Sequence, residues 1–426
     1  MDYAIKIIFV LMINLTNKIK NFFTPQLVLF FFIALILKLL MYFRIYHFIP
    51  QFGEDSYTYM AAAQKLVHFR IDEYRTPGFP IYLGLFKLIF GIFFANAVVF
   101  FNIIISCFSY IYIFKIINKF CNKKYLFLFY LIIDIFVFNY DYYLLTESVC
   151  KSLLIYYIYL FLNNKDSLYI QLILILIKPI FLILFVFKIL EIITFKRYKI
   201  IMKQLILIFL VIGYSFLFKI NFGYWGISKV NDYNKFSQLI HFKLYDNEHY
   251  QFFSKKMNDY YLNKSIAKAI QNYETIGLNR VFKDSNDCKF AYTNLHNYIN
   301  STLNKQNIHF INLQLIKFQH KLNGVFLFEI YSLNYCFFSF VNAIIILLFI
   351  SIFMIHLLIL KRNFDTVNKA ITIFSVFFVF AMFSAFWGSG NEYGRLLMPF
   401  SPFLFLVFVF VFDKLSLIKL KSENQS

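Results

Sequence analysis

The chain has 426 residues, of which 60% are hydrophobic and 22% aromatic, with a mean hydropathy of +0.64. This excludes an ordinary soluble domain. Apolar runs of roughly 18 or more residues recur, the length a helix needs to cross hydrocarbon, and they predict an all-α polytopic membrane protein. The formal net charge of +20 does not argue for nucleic acid: Lys and Arg concentrate in short loops between apolar runs, where topology and anionic membrane lipids account for them.

Residues 1–26 lack a small-residue cleavage site and carry only a short apolar stretch. They read as a cytoplasmic interfacial helix rather than a signal peptide. A first span follows at about 27–46, and residues 50–80 then face outside. The stretch 79–91 is apolar but too short to cross, so an interfacial position is expected. A second span covers about 94–115. The lysines 115, 119, 123 and 124 after it mark a cytoplasmic loop. A third span, about 125–140, returns outside to NYDYYLLTE, and a fourth runs over about 148–162.

Residues 168–190 carry Lys178-Pro179 in their middle. Proline removes a helix hydrogen bond, and lysine is costly in lipid. Two half-helices meeting near the outer surface are expected there. Lys188, Lys196, Arg197, Lys199 and Lys203 bring the chain back inside, and a span at about 201–220 completes an N-terminal membrane module over 27–221. Residues 222–330 are polar, rich in Asn, Lys and Tyr, and read as an external helical domain. A C-terminal membrane module, 331–415, holds spans near 335–359, 370–387 and 396–413, and 416–426 form a cytoplasmic tail. Counting the half-helices as two passes, about ten crossings are expected, with both termini inside.

On this topology four polar groups share the outer face: Glu54 with Asp55, Asp141 with Glu147, Lys178, and Arg395 with Glu392. Asp55 opens a helix, DSYTYMAAAQKLV. It reads either as an N-cap or as a general base taking a proton from an acceptor hydroxyl, with Glu54 its rival for that role. Tyr59, one turn on, lines the same cleft or anchors at the interface. Glu147 suits the helix dipole, a divalent metal such as Mg or Mn with Asp141 as helper, or a substrate hydroxyl. Lys178 and Arg395 are either membrane-end anchors or two cations for a lipid-linked phosphate, the lysine as a point charge and the arginine bidentately. His68, His241 and His296 show no metal-ligand spacing, and the five cysteines include no CxxC.

At these residues the chain resembles the GT-C superfamily of polytopic glycosyltransferases, closest to the branch of protein O-mannosyltransferases and lipid A aminoarabinose transferases. Asp55, Tyr59, Ala61–Ala63 and then Arg75-Thr76-Pro77-Gly78-Phe79-Pro80 match the family's first external loop: an acidic residue, a Tyr, an Ala-rich helix, then a basic residue and a PGYP-like stretch. Glu147 in LLTESV matches the family's acidic residue at the start of the fourth span. Lys178-Pro179 looks like its Arg-Pro in a broken fifth helix, with Lys in place of Arg. Arg395, followed by Pro399 and Pro402, resembles its late Arg motif. The resemblance covers about 27–220 and 385–412.

It implies a GT-C-like bundle with external interfacial helices in a bacterial inner membrane, active on the periplasmic face. It further implies inverting transfer of a sugar from a polyprenyl-phosphate donor to a glycan, lipid or protein acceptor. Asp55 would be the base, with Lys178, Arg395 and Arg75 at the phosphate. An O-antigen polymerase-like enzyme would use loop arginines, and the external domain has Arg280 alone. A transporter or lipid flippase would favour internal repeats and charges at mid-membrane; the sequence has no evident repeat, and the four polar groups gather at one face.

Overall fold

The computed structural model describes residues 24–123, 125–136, 140–262, 276–324, 366–388 and 397–423. The expected interfacial helix before residue 24, the span at 335–359, and Glu392, Arg395 and Cys336 lie outside the described residues. Within them the fold is all-helical and no strand forms. A single bridge between Gln51 and Tyr143 ties two loops together.

The first helix, α1 (Pro25–Arg44), starts at a Thr24 cap whose hydroxyl accepts from the Leu27 amide at 3.4 Å, with Pro25 in the first turn. Leu27, Ala34, Lys38 and Tyr42 form its buried stripe, while Leu29, Phe32, Ile36 and Leu40 face outward. This is the amphipathicity of a membrane helix packed on one side only. α2 (Glu54–Val67) and α3 (Gly78–Phe90) pack on each other, and α4 (Phe94–Phe120) is the central helix, packed against α1, α3, α5 (Leu126–Phe136) and α6 (Glu147–Leu162).

The apolar stretch from Gly78 to Phe120 is not one straight helix. It bends at Gly91, whose φ of +55° only glycine adopts without strain. The 13 residues of α3 reach about 20 Å, short of the ~30 Å hydrocarbon core. α3 instead packs between α2 and α4.

α6 is buried along almost its whole length. α7 (Leu168–Ile177) stops at Lys178, which is extended (φ −151°, ψ 123°). A residue before proline is pushed out of the helical region, and a short 3-10 turn, Pro179–Ile183, leads into α8 (Leu184–Phe195). α9 (Ile200–Phe222) has most of its side chains exposed and ends on Gly223.

After α9, α10 (Val230–His241), α11 (Gln251–Leu262), α12 (Leu278–Val281) and α13 (Ser285–Gly324, broken at Gln306) build a second core around Phe236, Leu239, Phe253, Leu295 and Tyr298. The polar stretch expected to be an external helical domain is thus helical with its own apolar centre. α14 (Thr366–Gly388) and α15 (Ser401–Glu423) close the bundle against α6 and α8. At the opposite, lysine-rich end of α6, Lys119 bonds Asn163 at 2.8 Å, and Arg197 pairs with Glu191 at 2.7 Å. There Asp413 of α15 accepts the amides of Asn122 and Lys123 at 3.0 and 3.2 Å.

Among the described residues three stretches are long and apolar enough to cross a membrane: Pro25–Arg44, Gly78–Phe120 and Ile200–Phe222. Leu126–Ile135, Leu168–Ile177 and Thr366–Met382 are shorter apolar helices.

Candidate functional site

The site forms where the loop after α2 meets the break after α7. Gly53, not Asp55, caps α2; Ser56 accepts the Gly53 amide at 3.0 Å and donates to the Leu144 carbonyl at 2.9 Å. With the cap supplied elsewhere, Asp55 turns its carboxylate to the Arg75 guanidinium, with which it forms an ion pair. Glu54 is the first residue of the helix.

Arg75 also donates through Nε to Thr58 Oγ1 at 2.8 Å and through Nη1 to the Tyr59 hydroxyl at 3.4 Å, and it lies 4.3 Å from the Tyr59 ring centroid. A guanidinium on an aromatic face is held in orientation as well as in charge.

The RTPGFP stretch is anchored directly on the helix break. Thr76 Oγ1 donates to the Ile177 carbonyl at 3.1 Å. Gly78 lies so close that a Cβ there would stand 2.7 Å from the backbone of Ile177 and Leu176. This close approach explains why glycine follows Pro77, and it draws Arg75 and Lys178 into one neighbourhood. Lys178 Nζ donates to Glu147 Oε1 at 2.7 Å, and Thr146 bonds the other oxygen at 3.3 Å.

Tyr59 sits among the four charges. It is buried, and burial raises its hydroxyl above the usual phenol range. Arg75 and Lys178 oppose that shift, and Asp55 and Glu147 add to it. Side-chain exposure is 25% for Asp55, 13% for Arg75, 11% for Lys178 and 1% for Glu147. The group is therefore partly open on its Asp55–Arg75 side and closed beneath Glu147.

Five residues singled out in the sequence, Asp55, Tyr59, Arg75, Glu147 and Lys178, thus come together from four separate segments. Asp141 does not join them as a metal helper. Its carboxylate is taken by Lys38 and Ser148 in a second, fully buried group. There Lys38 also meets Ser106 at 3.1 Å and Asp134 at 3.8 Å, Lys151 pairs with Asp134 at 2.7 Å, and Tyr110 donates to Asp134 at 2.6 Å. All four charged residues are 0% exposed. Sequence reasoning passed over Lys38, Asp134 and Lys151, although each interrupts an apolar run, which is a signal in itself.

Among the described residues no three His, Cys, Asp or Glu side chains gather as a metal site. Both carboxylates expected at a metal are engaged by ammonium groups, Glu147 by Lys178 and Asp141 by Lys38. This set does not match Mg or Mn, which take several oxygen ligands.

Comparison with protein-family models, with curated proteins and with solved structures gave no match. Function is therefore read from the geometry. Two ion pairs, Arg75–Asp55 and Lys178–Glu147, lie close enough to one phenol, Tyr59, to shift it, at one end of the bundle. An incoming phosphate can compete for Arg75 and Lys178 and, in doing so, release a carboxylate to accept a proton.

Proposed function

We propose that the chain is an integral membrane glycosyltransferase of GT-C type, moving a sugar from a polyprenyl-phosphate donor to an acceptor hydroxyl at the outer face, with inversion. The observation that carries this reading is the gathering of Arg75 and Lys178 with Asp55 and Glu147 around Tyr59, at the end of the bundle that bears the external unit. The about ten crossings of a GT-C bundle and the periplasmic placement belong to the same proposal.

In the resting state Arg75 holds Asp55. The donor's phosphate, as a bidentate acceptor, draws the guanidinium toward itself. Asp55 then takes the proton of the acceptor hydroxyl. The acceptor oxygen attacks the anomeric carbon, the bond from that carbon to the phosphate oxygen breaks, and the electron pair leaves with the polyprenyl phosphate. Lys178 and Arg75 offset the charge that develops on the leaving phosphate, a role in which preorganised donors are worth the most. The resemblance assigns Arg395 to the same task. Tyr59 keeps Arg75 in plane during the exchange. No step passes through a metal ion.

The test is transfer of radiolabelled sugar in membranes from a panel of polyprenyl-phosphate donors. Wild-type protein is expected to transfer from at least one donor, and Asp55→Asn, expressed at the same level, to lose transfer. Full activity in Asp55→Asn overturns the assignment.

A further inference from the structure

The loop that carries Arg75 lies between two bodies, and both grip it. On the bundle side Thr76 and Gly78 are seated on Ile177 and Leu176. On the other side the residues just before Arg75 are bonded to the start of α10. The Lys229 amide donates to the Glu73 carbonyl at 2.8 Å, and Ser228 donates to the Tyr74 carbonyl. The Lys229 ammonium reaches Glu73 Oε1 at 2.6 Å and the Tyr292 carbonyl at 2.8 Å, and lies 3.7 Å from the Tyr292 ring centroid. Tyr292 bonds the second Glu73 oxygen, and the hydroxyls of Tyr74 and Tyr233 meet. Within the loop, Asp72 accepts the amides of Tyr74 and Arg75, both at 2.8 Å, and is itself held by Lys65 at 2.7 Å.

Arg75 belongs to no helix. A long, rotamer-rich side chain can be aimed only if its backbone is fixed, and here that backbone is fixed one and two residues upstream by the external unit. We propose that the external helical unit is the positioning element for Arg75, with Lys229 and Tyr233 as the positioning residues that latch Glu73 and Tyr74. The catalytic consequence rests on the transferase reading; the latch itself does not.

Two measurements on the purified full-length protein separate these claims. The first is the rate at which phenylglyoxal modifies Arg75, mapped by peptide mass spectrometry, with Arg197 at the opposite end as internal reference. Lys229→Met is expected to raise the Arg75 rate about tenfold, ~1.4 kcal/mol of local opening, with Arg197 unchanged and with recovery to near wild type in Lys229→Arg. Tyr233→Phe, which removes one hydroxyl and keeps the ring, is expected to raise it about threefold. It decides the matter alone if Lys229→Met does not fold. Unchanged Arg75 reactivity in Tyr233→Phe and in any folded Lys229→Met, or equal rises at Arg75 and Arg197, overturns the latch.

The second measurement is sugar transfer by the same variants, expected to fall with Lys229→Met and return with Lys229→Arg. A protein with no transfer from any donor but the expected reactivity order keeps the latch and overturns the transferase reading. An active transferase with unchanged Arg75 reactivity does the reverse.

Discussion

Two four-charge groups flank the loop from Tyr140 to Glu147, and they hold the same inventory. Asp134 and Asp141 face Lys38 and Lys151 in one; Asp55 and Glu147 face Arg75 and Lys178 in the other. Their surroundings differ. The inner group is 0% exposed, and its oxygens and nitrogens are met by Ser106, Ser148, Tyr110 and Tyr130. The outer group is up to 25% exposed at Asp55, with Asp55 and Glu147 in the first turns of α2 and α6, Arg75 in a loop and Lys178 at a helix break. Charge alone therefore does not mark a site. The inner group ties α1, α4, α5 and α6 together and, through Asp141, holds the loop that leads into Glu147, the first residue of α6. The outer group has the access that a substrate requires.

One matched pair of substitutions tests that division most directly, because each changes a single carboxylate to an amide. Asp55→Asn removes a partly exposed partner, so its unfolding in detergent should shift by no more than about 1 kcal/mol. Sugar transfer should fall roughly 10²–10⁴-fold, the usual contribution of a general base. Asp141→Asn leaves Lys38 and Lys151 sharing the single carboxylate of Asp134 in a dry interior. That should cost about 3–5 kcal/mol, read as a large drop in thermal midpoint and in folded yield. Replacing both partners of the inner pair, Lys38→Met with Asp141→Leu, should recover most of the loss, since well-packed apolar residues often substitute for a buried pair. A stable Asp141→Asn with no transfer would mean that the inner group is the chemical one.

Gly78→Ala probes the seam that gathers the outer group. The added methyl meets the Ile177 and Leu176 backbone at 2.7 Å, and neither can yield as a flexible side chain would. A loss of about 1–3 kcal/mol is expected from such overpacking. A fall in transfer should accompany it as Arg75 is pushed away from Lys178. Gly84→Ala, whose Cβ would meet only the Ala63 methyl at 3.9 Å, is the control expected to change neither.

Much of the outer group was legible in the sequence because its members stand at polarity breaks: Asp55 past an apolar run, Lys178 beside Pro179, Glu147 at a helix start. The order of these breaks along the chain, with the lysine bias of the intervening loops, led to the expectation that they share one face, and the structure brings Asp55, Glu147 and Lys178 together beside Tyr59. Other features were not legible, each for a stated reason. Asp55 as N-cap failed because Ser56 could serve Gly53 and Leu144 together, a tertiary demand no local pattern encodes. The pairing of Asp141 with Lys38 was not legible because Lys38 is 103 residues away inside an apolar run. The bend at Gly91 depends on one positive φ, so the shortness of α3 was visible in the sequence but the bend that follows it was not. The grip of Lys229 on Glu73 crosses 156 residues and has no signature at either end.

That grip yields the smallest effect, one of sign. Burial holds the Glu73 carboxyl above its ordinary range, and the Lys229 ammonium offsets this only in part; Asp72 adds to the rise and Lys65 opposes it. Tyr292 is the remaining titratable side chain bonded to Glu73. A folded pKa above the unfolded one means that the folded chain binds the proton more tightly. The group's contribution is then complete below the ordinary carboxylate range and is lost as pH rises through the folded value. Glu73→Gln keeps the shape and the hydrogen bond to Lys229 while removing the titration. Across that acidic window the wild-type unfolding midpoint should fall, by less than about 1 kcal/mol in stability, relative to that of Glu73→Gln. The Arg75–Asp55 pair lies one loop away, so Arg75 reactivity should follow the same pH trend in wild type and lose it in the Gln variant. A trend that persists in Glu73→Gln would assign the titration to another group and leave the coupling of the two bodies to the bonds that do not titrate at Glu73, among them Lys229 N–H to the Glu73 carbonyl and Ser228 to the Tyr74 carbonyl.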